Sequence, residues 1–268
     1  MRLYIRFTFI TLFTLMLTGV FAQESGEITV PFSSPDSPGK IKVDIKKGSI
    51  EIRGTARKDV LVKYAAMDAL QKEGQTKDGL TRIGGAALDL EATERDNYIE
   101  IESNSWNKGV NLVIEVPSDV DLDVATYNSG DIYIENINGE IVSDNYNGRI
   151  TAENISGSLV ADSYNGSILA TFKAVTPETP MAFSTYNGHV DLTFPASFKA
   201  DMKMKTRQGE ILSGFKFVLL KNTPTQKNES NSGTYKVKLD DWVRAKINGG
   251  GPEITIKNYN GNIYLRKG

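Results

Sequence analysis

Residues 130–165 read GDIYIENIN-GEIVSDNYN-GRITAENIS-GSLVADSYN, and Gly166 opens a further unit. Glycines stand at 130, 139, 148, 157 and 166, nine residues apart. Each is followed by one variable residue and then an aliphatic one: Ile132, Ile141, Ile150, Leu159 and Ile168. A second alternation lies over the first. Tyr146-Asn147-Gly148 returns two units later as Tyr164-Asn165-Gly166, and Ile137-Asn138-Gly139 returns two units later as Ile155-Ser156-Gly157. The spacing predicts a coil made of two units, about 18 residues, holding two short strands and two turns. Strands of about five residues each would leave about four residues per corner.

The pattern extends outward at longer spacing. Tyr186-Asn187-Gly188 begins another unit, farther from Tyr164 than Tyr164 is from Tyr146. Gln208-Gly209-Glu210-Ile211 is a degenerate unit, and Tyr259-Asn260-Gly261-Asn262-Ile263 is the last. Lys47-Gly48-Ser49-Ile50-Glu51-Ile52 carries the same core near the start. Between glycines the period is two. Ile41, Val43 and Ile45, then Leu112, Ile114 and Val116, then Val120, Leu122 and Val124 alternate with mostly polar residues. Strict alternation predicts strands with one buried face. Ala65 to Gln71 is the one short helix candidate.

A nine-residue unit cannot bury its apolar face alone, whereas stacked units bury a continuous column. The expected fold is therefore all-β: a right-handed parallel β-solenoid, or β-helix, with about 18–22 residues per coil. Glycine at each corner is expected to supply a positive φ. Asparagine beside it is expected to hydrogen-bond along a stack of like amides. An antiparallel meander is the rival, but it gives no reason for the two-unit alternation.

The run from Leu112 to Ile168 contains Val116-Pro117-Ser118-Asp119-Val120-Asp121-Leu122, Thr126-Tyr127-Asn128-Ser129-Gly130-Asp131-Ile132 and repeated Asn-Gly-x-Ile. It resembles the "putative adhesin" domain family, common in exported Bacteroidetes proteins, across roughly residues 40 to 265. The resemblance implies a β-solenoid without assigned catalytic residues. The chain departs from the family pattern at Ser129, one residue inserted into a Tyr-Asn-Gly corner, and at insertions near 65–92 and 214–233.

Residues 1–22 have the layout of a secretory signal peptide. Arg2 and Arg6 precede an uncharged apolar run, Phe7 to Val20, and Val20-Phe21-Ala22 suits cleavage before Gln23. Residues 23–268 are then expected to form a single exported domain, with no membrane span after cleavage. The chain has no cysteine, so no disulfide is expected in an oxidising compartment. A net charge of −2, without a basic block, gives no reason to expect nucleic acid.

No catalytic constellation is legible, and no cofactor is expected. His189 is the single histidine and occupies a corner slot held elsewhere by Asp131, Glu140, Arg149, Ser158 and Ser167. With no cysteine and one histidine a zinc site is not expected. Calcium-binding β-rolls need a recurring aspartate that these units lack. Asp119, Asp121 and Asp123 read as a solvated strand face.

The sharpest feature is a tyrosine series. Tyr127, Tyr146, Tyr164 and Tyr186 recur in successive coils, and Tyr259 returns at the end. Alternation from Ile141 places Tyr146 outward with Val142 and Asp144. An exposed stripe would offer flat apolar faces and hydroxyls to a sugar chain or a protein; the alternative is that the rings cover the core edge. The reading is an exported, non-enzymatic, adhesin-like binding module of the cell envelope, its partner an unidentified glycan or protein. A structural or assembly role and a polysaccharide-active enzyme are the alternatives.

Overall fold

The computed structural model describes residues 25–67, 76–77, 80–81, 88–176, 178–221, 225–227, 236–238 and 241–268. Residues 1–22, expected to be a signal peptide, lie outside the described residues, as do parts of both insertions. Among the described residues the regular structure is entirely strand. The helix candidate is not borne out where it can be seen: Ala65 and Ala66 are strand, and 68–71 lie outside the described residues.

The chain opens with β1 (Ser25–Pro31), β2 (Gly39–Lys47), β3 (Ile50–Thr55) and β4 (Asp59–Ala66). A short pair follows, β5 (Thr76–Lys77) and β6 (Leu80–Thr81), then β7 (Leu90–Arg95), β8 (Tyr98–Ser103) and β9 (Val110–Pro117). The repeat region gives β10 (Val120–Asn128), β11 (Ile132–Glu135), β12 (Glu140–Asn147), β13 (Ile150–Ile155), β14 (Ser158–Asn165), β15 (Ile168–Phe172), β16 (Met181–Asn187) and β17 (Val190–Phe194). The remainder is β18 (Ala200–Lys205), β19 (Ile211–Ser213), β20 (Phe217–Leu219), β21 (Thr225–Lys227), β22 (Lys236–Lys238), β23 (Val243–Ile247), β24 (Glu253–Asn260) and β25 (Ile263–Lys267).

Two large mixed sheets hold all of these except the pairs β5–β6 and β21–β22. The first runs β1-β4-β9-β3-β11-β13-β15-β17-β25-β19, the second β20-β23-β18-β24-β16-β14-β12-β10-β2-β8-β7. Consecutive strands of the repeat lie in different sheets, so a meander does not describe them. Their partners are parallel and one coil away: Ile132 pairs with Ile150 and Ile150 with Ile168, while in the other sheet Ile141 pairs with Leu159. The two-unit alternation is thus the register of two parallel ladders.

The strands are less equal than expected. Those of the second sheet run eight residues in β12 and β14, and the corners Gly148–Arg149 and Ser156–Gly157 take two residues each instead of four. Layer order also departs from chain order. The pair β2/β3 sits between β8/β9 and β10/β11, and β24/β25 sits between β16/β17 and β18/β19. These two pairs are therefore tucked one layer in. Antiparallel strands close the stack: β4 and β1 beyond β9, β7 beyond β8, and β23 and β20 beyond β18. Such strands terminate a parallel ladder that would otherwise expose open backbone groups.

The core lies between the sheets. Ile41, Leu122, Ile141, Leu159 and Met181 line one inner column, and Ile50, Ile132, Ile150, Ile168 and Val190 face them, all essentially buried. At about 25 cal/mol per Å² of apolar surface, this column is the main source of stability in a chain without disulfides.

The corner glycines meet the expectation of positive φ only in part. In the stack Gly48, Gly130, Gly148, Gly166, Gly188, Gly261, only Gly48, Gly188 and Gly261 have positive φ. What all share is contact: a Cβ at Gly148 would run into the carbonyl oxygen of Gly130, and one at Gly166 into that of Gly148. Layer spacing leaves room for a hydrogen there and nothing larger. The inserted Ser129 is the residue that takes the left-handed conformation, at φ 59°.

Candidate functional site

One corner, where the second sheet turns into the first, carries three ladders at once. The innermost involves the residue before each tyrosine. Thr126 donates to the carbonyl of Gly48 (2.8 Å), Asn145 to Gly130 (2.9 Å), Ser163 to Gly148 (3.1 Å), Thr185 to Gly166 (2.7 Å) and Asn258 to Gly188 (2.9 Å). These side chains point inward and are buried. Each satisfies a glycine carbonyl of the neighbouring layer, which burial would otherwise leave unpaired at a cost of about 1–3 kcal/mol. Asn145 and Asn258 keep a buried Oδ1 without a partner, which the hydroxyl residues avoid.

The second ladder is the expected amide stack. Asn165 donates to Asn147, Asn187 to Asn165 and Asn260 to Asn187, each at 2.8 Å. Asn128 stands outside it because Ser129 lengthens its corner; Asn128 accepts from Ser129 instead, at 3.4 Å.

The outermost ladder is the tyrosine file. Tyr127, Tyr146, Tyr164, Tyr186 and Tyr259 stack in that order, with ring centroids 4.6, 4.9, 5.0 and 4.6 Å apart and planes within 14° of parallel. The parallel strand spacing of about 4.8 Å sets this pitch. Tyr127, Tyr146, Tyr164 and Tyr186 remain 39–45% exposed; Val142 and Val160 are exposed too, two rows away across Asp144 and Asp162. The rings are on the outer face, yet each ring face is covered by its neighbour. Trp106 stands edge-on to Tyr127 at one end (5.2 Å, 78°), and the Arg207 guanidinium lies 5.7 Å from the Tyr259 ring at the other. The file thus offers ring edges and a row of hydroxyls, and the expected sugar stacking on a flat ring face has no free face along it.

The next outward row of the second sheet, given by strand register, is Glu102, Asp44, Ala125, Asp144, Asp162, Ser184, Lys257, Lys205. Beside it lies Glu100, Lys42, Asp123, Val142, Val160, Ala182, Thr255, Lys203. A groove of about 440 Å³ opens between the file and the first row, lined by Asp44, Lys46, Trp106, Asp144 and Asp162 with three of the tyrosines. Asp44 is held by Lys46 (2.9 Å), while Lys42 bridges Glu100 (2.6 Å) and Glu102 (3.0 Å). Asp123, Asp144 and Asp162 have no ion pair among the described residues. Partial burial, and after it the carboxylates of Asp162 and Asp123, push the Asp144 pKa above its ordinary value.

The remaining sequence candidates take structural places. His189 lies at a corner, its Nδ1 3.0 Å from the Ser167 hydroxyl and its ring edge-on to Tyr264. Its slot is less permissive than the sequence suggests, since Asp131, Ser167 and Asn262 there accept backbone N–H bonds from Arg149, His189 and Glu210. Of the acidic trio, Asp119 accepts from Asn138 and Asp121 from the Glu140 N–H, both at 2.8 Å, and Asp123 alone stays free. Among the described residues no His, Asp and Glu group could hold a metal ion, and no helix is long and apolar enough to cross a membrane. Sequence reasoning missed Trp106, Arg207, the free Asp144–Asp162 pair and the inward polar ladder. Two of these had a signal: every tyrosine of the file follows a Thr, Asn or Ser, and Tyr146 and Tyr164 each have Asp two residues before.

No family profile and no curated protein matches the chain. A crystal structure described as that of a putative cell adhesion protein from Clostridium sporogenes aligns with 92% of this chain and 100% of that one, at TM-score 0.54 and 13% identity. At that identity the likeness concerns the fold. A crystal structure described as that of a putative adhesin from Bacteroides fragilis aligns with 92% of this chain and 98% of that one, at TM-score 0.38 and 10% identity.

Proposed function

We propose that this chain is an exported, non-enzymatic, adhesin-like binding module of the cell envelope. In this reading residues 23–268 form one right-handed parallel β-solenoid, and Tyr127, Tyr146, Tyr164, Tyr186 and Tyr259 mark its contact surface. The observation that carries it is the exposed, continuous tyrosine file. Contiguous apolar surface of this kind marks interaction sites more often than idle surface. The adhesion-related description of the Clostridium structure agrees with it in kind. The signal-like segment supports export, to the periplasm, the outer surface or the medium.

A purely structural role by end-to-end stacking draws less support, because antiparallel strands close three of the four ends of the two sheets. The test is binding of the purified exported protein to envelope fractions and a glycan array, beside a Tyr146→Ser/Tyr164→Ser double variant. Saturable binding that the variant loses by at least about tenfold, with its melting transition still cooperative, is the expected result. Equal binding by both proteins removes the file from the contact surface, and turnover of any glycan in the panel overturns the non-enzymatic reading.

A further inference from the structure

The outward row next to the tyrosine file changes sign about β16, although farther from the file β24 and β18 carry the acids Glu253 and Asp201. Toward β14 and β12 this row carries Asp162 and Asp144; toward β24 and β18 it carries Lys257 and Lys205. Asp162 and Lys257 are each one strand from β16, on opposite sides, and Asp144 and Lys205 are each two strands away. Lys257 is exposed, without an ion pair among the described residues, and Arg207 is exposed at the end of the tyrosine file. Lys205 is engaged by Asp241 at 2.6 Å. Asp144 and Asp162 face each other on adjacent strands, an arrangement of like charges that costs stability.

We infer that the partner of this face is a second copy of the chain, docked face to face about a two-fold axis that lies in the interface and runs along β16. The inference rests on the reading of the tyrosine face as a contact surface. A two-fold axis parallel to the strands reverses strand order and keeps each row opposite itself. Asp162 of one copy then meets Lys257 of the other, twice over, as an isologous interface requires. Asp144 comes opposite the layer of Lys205 and Arg207, Tyr164 opposite Tyr259, and Tyr186 opposite its own counterpart. An axis perpendicular to the strands would instead set acid against acid. The six strands from β10 to β18, with about eight residues each, make a face of roughly 750 Å². That is close to the about 800 Å² per partner of a stable interface. Ring edges, hydroxyls and the exposed Val142 and Val160 supply the contact, and the free acids acquire the cations that this copy does not give them.

Sedimentation equilibrium of the exported protein, with Asp162→Lys and Lys257→Asp variants separately and mixed, tests it. Both side chains sit on the surface, so each variant should keep a single cooperative melting transition. The wild type is expected to dimerise, each variant alone to dissociate at least about tenfold more readily, and the equimolar mixture to recover a heterodimer. Only the mixture places opposite charges across both contacts. A wild type that stays monomeric at every concentration, or a dimer indifferent to both substitutions, overturns the inference. A monomer that still binds envelope material through Tyr146 and Tyr164 removes only the second copy, whereas a monomer that binds nothing removes the contact surface too.

Discussion

The two corners of each layer are built under different rules. At the tyrosine corner the connection is two residues in β2–β3, β12–β13, β14–β15, β16–β17 and β24–β25. It is one residue longer at Ser129, and longer again only in the two outermost layers, between β8 and β9 and between β18 and β19. At the opposite corner it is residues 118–119, 136–139, 156–157, 173–180 or 195–199. The first corner holds three hydrogen-bonded or stacked ladders, each requiring every layer to be in step. The second repeats the close glycine approach at Gly139 and Gly157; where its connections are longest it is filled by aromatic packing, Phe172 on Phe194 (4.8 Å) and Phe194 on Phe198 (4.0 Å), which fixes no backbone length. Length variation is absorbed where no ladder has to break. That is why the coil between Tyr164 and Tyr186 can be longer than the one between Tyr146 and Tyr164 without displacing either ring.

The strongest way to break this comparison is to insert one glycine at each corner. Between Gly148 and Arg149 it shifts the inner, amide and tyrosine ladders together, and a loss of about 3 kcal/mol or more is expected in urea unfolding. Between Ala174 and Val175 the expected change is within about 0.5 kcal/mol, because a longer surface loop adds little closure entropy. Equal losses at both sites would end the distinction.

A subtler probe is Thr185→Val, which keeps the shape of a buried side chain but removes its 2.7 Å bond to Gly166. The stranded carbonyl should cost about 1–3 kcal/mol. A neutral outcome would mean that the inner ladder follows the corner rather than holding it.

The smallest effect concerns the acids beside the file. The folded chain holds the Asp144 proton more tightly than the unfolded chain does, so the ionised carboxylate at neutral pH detracts from stability. That penalty disappears as pH falls through the carboxylate range. Asp144→Asn should therefore raise the melting temperature slightly at pH 7, and the gain should shrink towards zero in acid. A gain that is constant with pH would place its origin elsewhere than in the charge.

Much of this was legible in the chain because a repeat exposes its own geometry. Gly-x-Ile at nine-residue intervals announces strands and corners, and the alternation of Tyr-Asn-Gly with Ile-Asn/Ser-Gly announces that alternate strands belong to different sheets. The Asn147–Asn165–Asn187 stack could be foreseen on the same ground. The purpose of the glycines could not. Positive φ and lack of space for a Cβ leave the same letter in the sequence, and only the approach of Gly148 to the Gly130 carbonyl distinguishes them.

The sequence by itself determined the all-β character, the repeat and the absence of cysteine chemistry. These are local properties, set by side-chain alternation and by composition. Tertiary structure alone decided that β2/β3 and β24/β25 slip in beneath the outermost layers, that the rings cover one another's faces, and that Asp162 and Lys257 flank β16 at equal distance. Each of these joins residues far apart in the chain, Tyr186 to Tyr259 for example. Contacts of that kind arise from which layers stack, and a local pattern that every layer shares does not number the layers.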